Sequence, residues 1–247
     1  MTAAREDFYD AIDGTWAPAR RFESGPWTLR EGQGGGSRVS AATLTDPHSR
    51  PSEADIGDAV AEMRALDQEP LFMVRDVDHP GLDAGLGKRG FSVFDPVAMY
   101  GGPVDRLTDT QVPPVTAFTI WPPLEIMKEI WADGDIGPAR LAVMDRAAGE
   151  KTAVFGRTGD KPAGVAYVAL HGPIAMLHAL EVAPQHRRDG LARWMLRRAA
   201  FWAADHGATH IAALCRRDNF AACALYNQLG MEIYGQYHYR RPPATPS

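Results

Sequence analysis

The stretch Val182-Ala-Pro-Gln-His-Arg-Arg-Asp-Gly-Leu-Ala-Arg-Trp-Met-Leu-Arg-Arg-Ala-Ala200 decides how the rest of the chain is read. Five arginines (Arg187, Arg188, Arg193, Arg197 and Arg198) crowd into it, in a 247-residue chain whose formal net charge is −5. The apolar run Ile174 to Val182 before it predicts a strand, and the arginine-rich segment predicts a helix ending at Gly207. The first N–H groups of a helix have no internal partner and together carry about half a positive charge. Gly190 and Ala192 leave that backbone uncovered. Such a junction is a seat for a phosphate or pyrophosphate, rimmed by arginine. A solvated arginine face on an amphipathic helix is the other reading. It suits Arg193, Arg197 and Arg198, whereas the anion seat suits Arg187 to Ala192.

Composition narrows the classes. With 45% hydrophobic and 23% charged residues the chain is globular, and its length suits one large domain or two modest ones. The acidic balance argues against general nucleic-acid binding, which needs a basic face. The segment Met1 to Asp10 carries acids where a signal peptide needs an apolar run, and no stretch approaches the ~18 apolar residues of a membrane span. The two cysteines, Cys215 and Cys223, form no zinc pattern and no disulfide framework. A cytoplasmic protein with inert thiols, no metal, no membrane and no nucleic-acid partner is expected, as a monomer or homodimer.

Strands are predicted at Val115–Trp121, Lys151–Gly156, Ala163–Leu170, Ile174–Val182, Thr209–Leu214 and Met231–Tyr239. Helices are predicted at Leu124–Ala132, Ala139–Arg146 and Phe220–Leu229. The first half predicts helices at Ile56–Leu66 and Leu82–Lys88, and strands at Leu71–Arg75 and Ser92–Tyr100. Shifted by 140 positions it falls on the second half without a gap: Gly90-Phe91 on Gly230-Met231, and Leu71–Val74 on Ile211–Leu214. Four elements in register indicate an internal repeat. Trp27–Glu31 and Ser37–Leu44 predict a hairpin around the glycines of 32–36, a turn rather than a phosphate loop. The polar, then proline-rich stretch Asp105–Pro114 marks the expected boundary. Arg241–Ser247 is expected to be disordered.

Here a family resemblance becomes specific. Arg187-Arg-Asp-Gly190-Leu-Ala192 resembles the acyl-CoA loop of the GNAT N-acetyltransferase superfamily, Gln/Arg-x-x-Gly-x-Gly/Ala. Leu180–Pro184 resembles the family's fourth strand and its exit. Asn219 to Met231 resembles its Asn-x-x-Ala-x-x-Leu-Tyr-x-x-x-Gly-Phe signature, with Met231 for Phe. The resemblance covers residues 115–240. It implies an α/β fold: a mixed, mainly antiparallel sheet flanked by helices, here in two similar halves. It implies an acyl-CoA-dependent N-acetyltransferase, with acetyl-CoA (or CoA) as co-substrate and a small-molecule amine or a protein N-terminus as acceptor. Transfer would be by direct attack in a ternary complex. By resemblance, backbone groups of Leu180 and Val182 hold pantetheine, and the loop Arg187, Arg188, Asp189, Gly190, Leu191 and Ala192 holds the pyrophosphate. Asn219 opens the signature helix, and Tyr226 matches the tyrosine beside the sulfur that acts as general acid.

Met176 to Val182 resembles the strand of arylalkylamine N-acetyltransferases that carries two histidines. Met176 replaces the first, so His178 remains, either as the base or as a hydrogen-bonded interior histidine. Period two places His178, Leu180 and Val182 on one face and Glu181 on the other. Tyr237, His238 and Tyr239 suit either an acceptor pocket or sheet packing. The same shift sets Tyr226 on Leu86, Asn219 on His79, Gly190 on Arg50 and Arg187 on Pro47. The first half therefore reads as a degenerate GNAT-like domain (1–108) before a catalytic one (115–241), as in tandem acetyltransferases such as mycothiol synthase. A non-catalytic acyl-CoA sensor or scaffold is the alternative. Nucleotide binding through the arginine loop is weaker, since no P-loop or GxGxxG motif is present.

Overall fold

A computed structural model describes residues 3–243; positions 244–247 of the expected disordered tail lie outside the described residues. In chain order come helix α1 (Arg5–Thr15), strands β1 (Arg20–Ser24), β2 (Trp27–Glu31) and β3 (Thr43–Leu44), helix α2 (Glu53–Ala65), strand β4 (Phe72–Arg75) and helix α3 (Pro80–Lys88). Strand β5 (Ser92–Pro103), helix α4 (Asp105–Thr108), strand β6 (Ala117–Ile120), and helices α5 (Glu125–Asp133) and α6 (Pro138–Arg146) come next. Strands β7 (Lys151–Thr158), β8 (Lys161–His171) and β9 (Ile174–Val182), helix α7 (Leu191–Asp205), strand β10 (His210–Arg216), helix α8 (Phe220–Gln228) and strand β11 (Glu232–Arg241) complete it. The chain forms two compact units, Met1–Ala17 with Met99–Tyr234, and Pro18–Ala98 with Gly235–Ser247. The stretch expected as a boundary, Asp105–Pro114, lies within the first unit, and its start is helical.

In the first unit the strand order runs β5-β10-β9-β8-β7-β6. Strand β8 reads as an unbroken apolar run because helices cover both faces of the sheet, and Ala163 to Leu170 are all buried. Helix α7 buries Leu191, Met195, Leu196, Ala199 and Ala203, the helical spacing of one stripe, against β6 to β9. Two glycines let it come close. A Cβ at Gly156 or Gly164 would stand 2.6 or 2.9 Å from the Met195 sulfur. Helices α1 and α5 also pack on β8 and β9.

Strand β9 is irregular in two ways. It pairs antiparallel with β8, Tyr167 opposite His178 and Val165 opposite Glu181, so β9 carries one extra residue between these pairs. This is a β-bulge, and Ala179 sits at φ +51° within it. The Trp131 indole donates to the Ala179 carbonyl at 2.8 Å, satisfying a group the ladder leaves over. The bulge overturns the period-two expectation. His178 shares a face with Tyr167, and Glu181 shares that same face through Val165. Val182, opposite Gly164, points to the other face, toward Met195. The second irregularity is a divergence. The parallel pairing of β9 with β10 runs from Ile174/His210 to Leu177/Ala213, yet the strands continue to Val182 and Arg216.

Trp131 is fully buried, so Trp131→Phe keeps most of its apolar volume and orphans the Ala179 carbonyl. The expected loss is about 1–3 kcal/mol, the cost of an unsatisfied buried acceptor, read from urea unfolding. An unchanged midpoint would mean the bulge holds without the indole.

In the second unit β1, β2 and β3 form a three-stranded sheet, with β2 central. The expected hairpin of Trp27–Glu31 with Ser37–Leu44 is borne out only at its open end, where Trp27 and Thr28 pair with Leu44 and Thr43. The partner of β2 across a tight turn is β1, and Ser37–Val39 is a 3-10 turn. Trp27, Leu29, Ile56, Met63, Phe72 and Leu86 make up much of this unit's core. Strand β4 pairs antiparallel with β11, Tyr237 opposite Arg75. Tyr237 and Tyr239 are buried and meet edge to face, while the His238 nitrogens lie 2.7 Å from Asp76 and 2.7 Å from Asp83. For these three residues the packing reading holds.

Candidate functional site

Helix α7 begins at Gly190, which caps it in the left-handed region at φ +79° with no side chain over the first N–H groups. A Cβ at Gly190 would meet nothing within 4 Å, so the helix start faces open space. Arg188, at φ +74°, turns the loop just before it. An αL glycine at this point is what allows the chain to reverse from β9 into the helix while its amides stay bare.

These amides open onto a cleft of about 910 Å³. Leu180 and Val182 line it from the divergent end of β9, and Arg187, Arg188, Gly190, Leu191 and Ala192 line it from the loop and helix start. Asn219 lines it from α8, where its side chain accepts from the Ala222 N–H at 3.1 Å and caps the helix. Most of the residues expected to hold a cofactor therefore meet in one place. Asp189, exposed at the loop tip, lies outside the lining, as do His178 and Tyr226.

The arginines divide differently from the expectation. Arg187 donates to the Val182 carbonyl at 2.8 Å and pairs with Glu181 at 2.8 Å, bracing the loop on the end of β9. Arg193 reaches Gln228 at 3.0 Å and ties α7 to α8 across the cleft. Arg197 and Arg198 are no solvated face. Arg197 pairs with Asp109 and donates to the Leu107 carbonyl at 3.1 Å, and Arg198 donates to the Ala117 carbonyl at 3.1 Å. Their charge anchors α7 to α4 and β6.

Tyr226 is buried, its ring 5.3 Å from that of Tyr100. Burial pushes its phenol well above the ordinary value of 10, helped by Cys215, Cys223 and Tyr100, so it stays protonated. The Cys215 and Cys223 sulfurs lie 3.6 Å apart as free thiols, and burial with Cys223 alongside raises Cys215 to about 12. A thiol so placed is a poor nucleophile at neutral pH.

His178 is 4% exposed and lies against Trp16, with ring centroids 5.0 Å apart. Its Nε2 is 2.8 Å from the Thr15 hydroxyl, which itself donates to the Ala11 carbonyl. The single hydroxyl proton is thereby committed to Ala11, so Nε2–H donates to Thr15, and in the ring's neutral form the lone pair is on Nδ1. Sequence reasoning missed Thr15 and Trp16, because their contact spans 163 positions and leaves no local pattern. It also missed that Glu181 and His186 line the cleft.

The match to known proteins falls on the same residues. Residues 121–231 match the acetyltransferase (GNAT) family model. The matched segment begins just after β6, ends at Met231 and contains every residue that lines the cleft. Aminoglycoside N(6')-acetyltransferase type 1 of Acinetobacter haemolyticus is 26% identical over 120 residues, which cover 44% of this chain and 81% of that protein. A GCN5-related N-acetyltransferase from Kribbella flavida superposes with TM-score 0.71 at 19% identity, covering 99% of this chain and 97% of the other. A tandem GNAT protein from the clavulanic acid biosynthesis pathway superposes with TM-score 0.61 at 16% identity, covering 98% and 88%. The chain has an α/β GNAT-like fold, a mixed sheet flanked by helices, as the resemblance implied.

Proposed function

We propose that the chain is an acyl-CoA-dependent N-acetyltransferase that moves an acetyl or similar short acyl group to an amine by direct attack in a ternary complex. The observation that carries this is the uncapped start of α7 at Gly190, opening onto the cleft where β9 leaves β10. The residues fit acetyl-CoA as co-substrate. The amides of Gly190 to Ala192 suit a pyrophosphate, and the stretch of β9 beyond its pairing with β10 suits an extended pantetheine arm. Bound there, acetyl-CoA supplies an activated acyl group as a thioester. The acceptor nitrogen forms the new bond to the acyl carbon, the bond to sulfur breaks, the amine gives up a proton and the sulfur takes one. His178 is the proposed acceptor of the amine proton and Tyr226 the donor to sulfur. The acceptor is a small-molecule amine or a protein N-terminus. Thiol release on mixing with acetyl-CoA and a panel of amines, aminoglycosides included, tests this; no release with any amine argues against it.

The sensor or scaffold reading is favoured by one observation, that His178 and Tyr226 lie outside the cleft lining. It predicts acetyl-CoA binding without turnover.

If His178 is the base, Thr15 sets its tautomer. Thr15→Val is expected to lower kcat about tenfold, a fraction of the ~10²–10⁴ that a positioned base contributes. The KM for acetyl-CoA should hold and Thr15→Ser should restore the rate. Equal rates in the valine and serine variants would count against the tautomer argument.

The degenerate first half is also a proposal. Shifted by 140, α3 (Pro80–Lys88) falls on α8 (Phe220–Gln228), and β5 and β11 begin at Ser92 and Glu232. Helix α2 starts differently from α7. Ser52 and Asp55 close a capping box over its first amides, so a carboxylate already occupies that end. This supports a first half that kept the packing and lost the cofactor seat.

A further inference from the structure

The second unit has a cleft of its own, about 520 Å³, within the ~300–1,000 Å³ typical of small-molecule sites. Its walls are the loop at Pro47–Pro51 and the start of α3. The 140-residue shift places this lining on that of the larger cleft: His48 on Arg188, Arg50 on Gly190, His79 on Asn219 and Gly85 on Leu225. The pocket has thus been retained, while the chemistry facing it has changed.

Two buried hydrogen-bond donors on residues that line this cleft have no partner among the described residues. His79 is 4% exposed, and its Nδ1 accepts from the Arg75 N–H at 3.4 Å, which leaves the proton on Nε2; that Nε2 is buried and unpaired. Desolvation, with Arg75 nearby, lowers this histidine to about 4, so the ring is neutral and Nε2–H is a donor at physiological pH. Arg89 donates through Nη1 to Gly85 and pairs through Nη2 with Glu53, yet its Nε is also buried without a partner. Buried donors are almost always satisfied in folded proteins, so two orphans lining one cleft mark a missing acceptor. Arg50 adds a second guanidinium against one lining carboxylate, Asp78. Leu44, Ile56, Leu82 and Leu86 supply an apolar side of the cleft, beside the polar His48 and Ser49.

We propose that this cleft is a second binding site, for a small monocarboxylate with an apolar body, whose oxygens accept from His79 Nε2 and Arg89 Nε and whose hydrocarbon lies on the leucine–isoleucine floor. The proposal is independent of the acyl-transfer reading of the first unit.

Butyrate and benzoate, titrated into the full chain by ligand-observed NMR, test it. At least one is expected to bind saturably, with affinity falling at least tenfold in His79→Phe. Because that variant alters the start of α3, a second is needed. Gly81 lines the cleft, a Cβ there meets nothing within 4 Å, and Gly81→Phe fills the space without a burial or φ penalty. It should abolish carboxylate binding and leave acetyl-CoA binding unchanged. Absence of saturable binding by both carboxylates, or binding that survives both substitutions, would overturn the assignment. So would a second acetyl-CoA site that disappears in Gly81→Phe.

Discussion

Gly190→Glu is expected to weaken acetyl-CoA binding at least 100-fold, about 2.7 kcal/mol, while the chain stays folded. Two effects act together. The residue sits at φ +79°, where a side chain costs about 1–2 kcal/mol. The new carboxylate then lies at the positive end of α7, where it competes with the pyrophosphate for the same amides. That favourable interaction with the helix end offsets part of the strain, and the space beyond the Cβ is open, so unfolding is not the expected outcome. Gly190→Ala separates the two effects, because it carries the strain without the charge, and its loss should be about tenfold or less. Calorimetry of both variants checks this. Binding by Gly190→Glu within threefold of the unsubstituted protein would remove the helix start from the cofactor site.

Tyr226→Phe is expected to lower kcat by about 10²–10³ with the KM for acetyl-CoA within threefold, the signature of an interaction made in the transition state. The phenol lies in a buried cluster with Tyr100, Cys215 and Cys223, and burial keeps it protonated beyond its ordinary value of 10. A group whose pKa is raised in this way holds its proton throughout pH 6–9, so no alkaline fall of rate in that range belongs to Tyr226. Phenylalanine preserves the ring packing against Tyr100, so stability should change little. If Tyr226→Phe retained full turnover, the proton would reach sulfur from elsewhere and the tyrosine would be a core residue.

Much of this site was readable from residues 180–231 because its parts are local. A glycine after an arginine-rich loop, an asparagine capping a helix and an apolar strand before them need no knowledge of distant contacts. The 140-residue shift was readable for the same reason: it sets α3 on α8 and the start of β5 on the start of β11. The bulge was not. Ala179 takes a left-handed conformation without the glycine that would signal it, since the Trp131 indole and the pairing with β8 impose it. Its consequence is that His178 and Val182 point to opposite faces, which simple alternation places together. Helix α1 escaped because its buried residues Phe8, Ile12 and Thr15 belong to a unit whose other residues begin at Met99. The roles of Arg197 and Arg198 depend on Asp109 and Ala117, 88 and 81 positions away, so spacing along the helix could not separate anchors from a solvated face.

Calorimetric titration of the full chain with acetyl-CoA, in the absence of any amine, tests the cofactor seat most directly. Saturable micromolar binding at one site per chain, centred on the start of α7, is the expected result. No measurable binding would contradict it, and would leave the arginine-rich segment as a helix anchored to its neighbours and nothing more.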